Sequence, residues 1–344
     1  MNPKRKVLIM RFSSFGDVLQ TLSVAGRVHA DWPDAEIHWV TRAEFAPLLA
    51  AHPGVARVWT LPKGAGLGGL LRLGRELKAE RFTHIYDAHN NLRSRVLSAQ
   101  LNGFLDWRCL FGKHSFLRRS IYRYRRFMLF RFRRNLFPKP FSGQFALLEP
   151  LRKWGLKIDA PAVPQLFLQG GALPADLPAD FVALAPSAAY PLKRWPLGHF
   201  RRLIELFPDT QFVLLGGPED GFLEDLAIPG RVRNLAGRLS LMDSARVIGK
   251  ARALVANDTG LMHVAEQLGI PCLALMGPAP FGFPSRPRTR IYELELWCRP
   301  CSKHGQGPCV NPEFHKCLRD IRPETVARGL KEILSAPLAA PLPF

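Results

Sequence analysis

The chain alternates short apolar runs with amphipathic stretches, and it does so twice. Val7–Met10 is apolar, Ser13–Asp17 is a polar turn, Val18 to His29 is amphipathic, and Glu36–Val40 is apolar again. Strand, helix and strand at this spacing predict a βαβ unit, whose two strands lie parallel in one sheet. Thr83–Asp87 reads as another strand, ending in the polar group Asp87 to Arg95. Between Pro150 and Asp180 the pattern lapses, and Pro161, Pro164, Pro174 and Pro178 accompany Gly170 and Gly171 as in a linker. It then restarts. Phe181–Ala185, Gln211–Leu215, Ala253–Ala256 and Ile270–Met276 read as strands. Gly198–Phe207, Ser240–Lys250 and Thr259–Leu268 read as helices, the last with Gly269 as its C-cap. A final helix runs from about Pro323 to Leu334. The expected fold is α/β, with two doubly wound domains facing each other across a cleft. We place them at 1–165 and 166–322, with 323–344 as a helix and tail.

Length agrees, since 344 residues at roughly 100–200 per domain make two cores. No apolar run approaches the ~20 residues that span a bilayer, and Val7–Met10 is too short for the core of a signal peptide. The expected location is the cytosol. The formal net charge is +20, and its distribution is uneven: 25 basic and 10 acidic residues up to residue 150, against 23 and 18 after it. Such a field favours a polyanionic partner, whether nucleic acid, anionic lipid or a phosphorylated acceptor.

Four loops follow strands, at the edge where open α/β sheets bind ligands. In Arg11–Asp17, Ser14 and Asp17 have the character of helix caps, and Asp17 also has that of a general base, with Gly16 easing the turn. In Asn257–His263, the unpaired N–H groups of a helix start, the bare Gly260 and the Thr259 hydroxyl suit a diphosphate, and His263 lies one turn on. In Pro186–Pro196, Lys193 and Arg194 can neutralise a phosphate, while Trp195 has the look of a staple to the core. In Gly216–Asp220, Glu219 can take ribose hydroxyls. None of these is a GxGxxG or Walker loop, so neither a nicotinamide nor a P-loop reading has a motif behind it.

Together and in this order, RFSSFGDVLQT at 11–21, DAEIHWVTRAEFAPLLAAHPGVARV at 34–58, YDAHNNLRS at 86–94, APSAAYPLKRWPLGHF at 185–200, LLGGPED at 214–220 and NDTGLMHVAEQLGIPCLALMGP at 257–278 resemble glycosyltransferase family 9, the bacterial lipopolysaccharide heptosyltransferases. The resemblance implies the GT-B architecture, two Rossmann-like domains around a central cleft, with an N-terminal acceptor domain and a C-terminal nucleotide-sugar domain. It implies inverting transfer of heptose from ADP-heptose to a phosphorylated lipid A-core acceptor, with no cofactor needed for catalysis. It makes Asp17 the base, and Lys193 with Thr259 and Gly260 the holders of the leaving diphosphate. Asp258 and His263 would contact the donor, with Ser187, Glu219 and Leu239 near the nucleotide. Ser14, Gly16, Asp87, Asn91 and Arg93 would meet the acceptor. His89 stands where relatives often have Gln. The alternatives are a transferase of another nucleotide-sugar, or a basic nucleic-acid-binding protein on an α/β scaffold.

Two features stand apart. Leu117–Arg134 holds eight arginines and five aromatics. It reads as a nucleic-acid surface, a membrane-surface helix, or a packed helix with a solvated basic face. The resemblance favours the second, which makes the anionic inner-membrane surface a partner, puts the enzyme peripherally on its cytoplasmic face, and leaves no nucleic acid expected. Cys298, Cys301, Cys309 and Cys317 follow C-x2-C-x7-C-x7-C, which suits either a structural zinc or iron ion or four packed thiols. Cys109 and Cys272 read as ordinary buried residues.

Overall fold

The computed structural model describes residues 4–102, 115–139, 141–159, 165–168, 170–171 and 173–336. Cys109, Pro161 and Pro164 lie outside the described residues. By its internal contacts the chain divides into two units, Met1–Ile121 with Gln144–Phe167, and Tyr122–Gly143 with Leu168–Phe344. The chain passes from the first unit to the second after Phe167, and Tyr122–Gly143 belongs to the second unit. Leu129 and Phe137 are buried, and the Phe130, Phe137 and Phe141 rings each meet Phe281 edge-on at 5.2–6.2 Å.

Among the described residues, the first unit holds five parallel strands: β1 (Lys6–Met10), β2 (Glu36–Arg42), β3 (Val55–Leu61), β4 (His84–Asp87) and β5 (Ser115–Arg118). Their order is β3-β2-β1-β4-β5. β1 is central, and Val7, Leu8, Ile9 and Met10 are all fully buried. A strand covered on both faces has no polar side to show, which is why it reads as an unbroken apolar run.

Among the described residues, the second unit holds six parallel strands: β6 (Val182–Ala185), β7 (Phe212–Leu214), β8 (Val232–Asn234), β9 (Ala253–Asn257), β10 (Cys272–Leu275) and β11 (Thr289–Tyr292). Their order, β11-β10-β9-β6-β7-β8, is the doubly wound 3-2-1-4-5-6 arrangement read from the other edge. The expected helices are present as Leu197–Glu205, Leu241–Lys250, Gly260–Leu268 and Pro323–Ser335. Ser240 caps the second of these by accepting from Asp243 N–H, and Gly269 closes the third at a φ of +71°.

In each unit the chain direction across the sheet reverses at one point, between β1 and β4 and between β6 and β9. Ligands of open α/β sheets bind beyond the strand ends at such points, because the loops there part to either side. Asp17 follows β1 and Asp87 ends β4; Ser187 follows β6 and Asp258 follows β9. The topology therefore gathers most of the predicted residues into two constellations, one per unit.

Candidate active site

In the first unit the helix Phe15–Asp31 starts directly after β1, and Asp17 is in its first turn. Asp17 does cap this helix, since its Oδ2 accepts from Ser14 N–H at 3.2 Å and from Ser14 Oγ–H at 2.7 Å. The cap is only part of its setting. Arg11, 5% exposed, brings Nη2 to 2.7 Å from the same Oδ2, and Arg119 Nη1 stands 3.9 Å from Oδ1. Burial alone would raise the Asp17 pKa, but the two guanidinium charges and the Ser14 bonds outweigh it and hold the carboxyl well below the usual carboxylate range. Beside it, burial and then the Arg11 charge lower His89 to about 4, so its ring is neutral at pH 7. Its Nδ1 accepts from Phe12 N–H at 3.3 Å.

The remaining predicted acceptor residues divide. Arg93 is exposed in the first turn of the helix Leu92–Asn102, and Gly16 is half-buried beside Asp17. Asp87 and Asn91 are engaged in holding the loop itself. Asp87 is fully buried, its Oδ1 taking the N–H groups of His89 and Asn90 and its Oδ2 the Arg118 Nε–H at 2.9 Å. Asn91 Oδ1 accepts from Ser94 N–H at 2.9 Å at the helix start. Asp87 and Asn90 also fix Arg119, whose N–H donates to Asp87 O and whose carbonyl accepts from Asn90 Nδ2.

In the second unit, Lys193 ends the 3-10 turn Pro191–Lys193, and its Nζ lies 2.7 Å from Asp258 Oδ2. Asp258 is buried, and Gly282 leaves the room it occupies, since a Cβ there would stand 2.2 Å from Asp258 Oδ1. An acidic group so placed would repel a phosphate but orients the ammonium that attracts one. Asp258, expected at the donor, is paired with the Lys193 ammonium. Thr259 begins the helix Gly260–Leu268 in extended conformation and makes no side-chain cap, so the first N–H groups of that helix are not taken up by the N-cap side chain. Asn257 ties the loops together, its Oδ1 accepting from Trp195 N–H and its Nδ2 donating to Pro186 O. Trp195 is the staple its position predicts, buried and donating from Nε1 to Ile321 O at 2.9 Å.

Ser187 donates to Asp220 Oδ1 at 2.5 Å, and Asp220 Oδ2 accepts from Gly217 N–H at 2.7 Å. Glu219 is exposed on that turn, and Leu239 is half-buried on the loop leaving β8. His263 is buried, and its Nδ1 lies 2.9 Å from Oε2 of the buried Glu266. Glu266 Oε1 accepts the N–H groups of Ser285 and Arg286.

Sequence reasoning missed Arg11, Arg119, Asp220 and Glu266. Arg11 had a signal, being a cation at the very end of an apolar strand. Arg119 was hidden in a run read as surface. Asp220 and Glu266 sit where a turn and a helix would expose them, and only packing buries them.

Cys298, Cys301, Cys309 and Cys317 line one cavity with Leu192 in its wall. Asn311 Nδ2 donates to Cys298 Sγ, and His315 N–H donates to Cys309 Sγ, both at 3.3 Å. The expectation of a metal centre is met in the convergence but not in the arrangement. Among the described residues, no group of three or more His, Cys, Asp or Glu side chains is placed to hold a metal ion. Burial pushes the Cys317 thiol up to about 12, which favours its protonated form. Cys272 is buried, as read.

Two Rossmann-like sheets, each with charged loops at its switch point, make the GT-B architecture. The chain belongs to glycosyltransferase family 9 (heptosyltransferase), whose pattern matches residues 70–308. It is 28% identical to lipopolysaccharide heptosyltransferase 2 of Salmonella typhimurium and 27% identical to lipopolysaccharide heptosyltransferase 1 of Pseudomonas aeruginosa, each over 96% of this chain and 99% of the relative. Its fold is that of E. coli ADP-heptose lps heptosyltransferase II, with a TM-score of 0.67, 23% identity, and coverage of 96% of this chain and 98% of that one.

Proposed function

We propose that the chain is an inverting heptosyltransferase that moves a heptose from ADP-heptose onto the inner core of a nascent lipopolysaccharide, either Kdo-lipid A or a heptosylated acceptor. The observation that carries this reading is which groups stand at the switch points: the Asp17 carboxylate, held by two arginines, at one, and the Lys193 ammonium with a helix N-terminus at the other. The acceptor hydroxyl oxygen bonds to the anomeric carbon as the bond from that carbon to the diphosphate oxygen breaks. The hydroxyl proton goes to Asp17, and ADP leaves with its new charge on Lys193 and the N–H groups at Thr259–Gly260. His263, Ser187, Glu219 and Leu239 serve the donor; Ser14, Gly16 and Arg93 serve the acceptor.

Asp17 is ionised throughout the physiological range, as a base must be, but two arginines make it a weak one. Arg119 is the looser of the two. An acidic acceptor that draws Arg119 off removes the smaller of the two charges that hold Asp17 low and leaves Arg11 in place. The first test is release of ADP from ADP-heptose with and without a Kdo-bearing lipid A. Acceptor-dependent release is expected. Release that ignores the acceptor, or ADP binding without release, would turn the reading toward another donor sugar or acceptor.

The proposed location is the cytoplasmic face of the inner membrane, held peripherally. Among the described residues no helix is long and apolar enough to cross a membrane. The helix Arg123–Phe132 offers a surface anchor: Tyr124, Phe127 and Phe132 are 52–68% exposed, and Arg123, Arg125 and Arg131 are exposed among them. A structural zinc or iron ion on the four cysteines belongs to the same reading, supported by their shared cavity and the two N–H groups aimed at sulfur. The sulfurs would have to draw in and lose protons. Less than about 0.2 equivalents of zinc plus iron, in protein purified without chelator, would remove it.

A further inference from the structure

Lys193 closes a single 3-10 turn, too short an element to fix its own side chain. Asp258 holds the ammonium from one side. The cysteine-rich segment holds the turn from another, at three points. His315 Nε2–H donates to Leu192 O at 3.0 Å. Gln306 Nε2 donates to Tyr190 OH at 2.9 Å. Gly305, at a φ of +83°, lies flat on the lysine stem: a Cβ there would stand 2.6 Å from Lys193 Cγ and 3.3 Å from Tyr190 Cβ. The segment is itself stitched in place. Cys301 N–H donates to Pro278 O, and Ser302 Oγ accepts from Gly305 N–H and donates to Gln306 O. His315 is in turn tied through its N–H to Cys309 Sγ.

We propose that residues 301–315 are a brace that sets the position of Lys193 for the phosphate farther from the nucleoside, with Gly305 and His315 as positioning residues. This rests on the reading that Lys193 binds the diphosphate. A side chain at 305 has nowhere to go but into the lysine stem, and the left-handed backbone there disfavours one in any case. Displacing the stem moves a charge-assisted hydrogen bond that holds only to within a few tenths of an ångström. The brace therefore bears on the terminal phosphate of ADP and not on the adenosine.

The test is calorimetric affinity for ADP and for AMP in the full chain, for wild type, Gly305→Ala, Lys193→Met and the pair. Loss of one charge-assisted contact is worth roughly tenfold or more. Lys193→Met should cut the preference for ADP over AMP by about that factor; an unchanged preference overturns the Lys193 reading itself. Gly305→Ala should weaken ADP by about tenfold and leave AMP within about twofold. In the Lys193→Met background it should do nothing further, since the two act through one contact. Equal weakening of ADP and AMP, no weakening, or additive losses in the pair would overturn the brace with the Lys193 reading intact. Should Gly305→Ala fail to fold, Tyr190→Phe removes the Gln306 contact at a partly exposed hydroxyl. It should lower the ADP preference by about twofold, and no change would overturn the brace.

Discussion

Replacing Asp17 by Asn separates a structural carboxylate from a catalytic one. The change keeps the shape and removes the charge opposite Arg11, whose Nη2 is 2.7 Å away and whose Nη1 stays bonded to Ala88 O. Stranding one partner of a fully buried ion pair costs about 3–5 kcal/mol. The Asp17 side chain is 36% exposed, so solvent screens its half of the pair and about 1–2 kcal/mol is the fitting figure. That lowers the melting temperature by about 2–8 °C and does not unfold a domain. Loss of a general base costs about 10²–10⁴ in rate, or roughly 3–5 kcal/mol of barrier. Acceptor-dependent ADP release should fall by that factor while ADP affinity holds. Adding Arg11→Met removes the stranded cation, so the double variant should recover the melting temperature and remain inactive. Turnover restored to within about tenfold of Arg11→Met alone would refute the base and leave Asp17 as the partner of Arg11.

Lys193→Met should lower kcat by about 10²–10³ and raise the KM for donor much less, because the charge it meets grows as ADP leaves; a change confined to KM would contradict this. Buried His52 has its pKa lowered to about 4, first by burial, with Nδ1 accepting from Gly54 N–H and Nε2 facing Gln165 Oε1. The unfolded chain takes up a proton near 6.5 and the folded one only near 4, so stability is unaffected above pH 6.5 and falls as pH drops from 6.5 to 4, by roughly 3 kcal/mol in all. Urea unfolding across this window should be flatter in His52→Gln, and an unchanged slope would assign the effect elsewhere. Sedimentation with phosphatidylglycerol vesicles should fall at least about tenfold when Arg123, Arg125, Arg131 and Arg134 become Ser, at roughly 1 kcal/mol each; binding that persists, or that nucleic acid takes over, would contradict the membrane anchor.

Much of the fold was legible because parallel strands leave simple traces. Val7–Met10 and Ala253–Asn257 are covered on both faces and therefore read as apolar runs. Edge elements left weaker traces: β3 has three exposed residues in seven, and β11 is only partly buried, so neither stands out by composition. Among the predicted site residues, those in short loops after strands lie at the switch points, because the strand end marks the place. Asp87 and Asn91 bond the loop's own N–H groups, and residue type in a loop does not separate that use of a polar side chain from ligand binding.

Local order along the chain settled where the strands end, and with them the positions of Asp17, Lys193 and Thr259. It also settled the excess of positive charge. It could not settle which charges meet. The pairing of Asp17 with Arg119, of Lys193 with Asp258, and of Leu192 with His315 joins residues 102, 65 and 123 positions apart. Nor could it assign the arginine-rich helix to the second unit, which rests on Phe281, far along the chain. Strand propensity and hydrophobic period act over a few residues. The strength of a base, the aim of a lysine and the face a helix buries depend on what packing brings within a few ångströms.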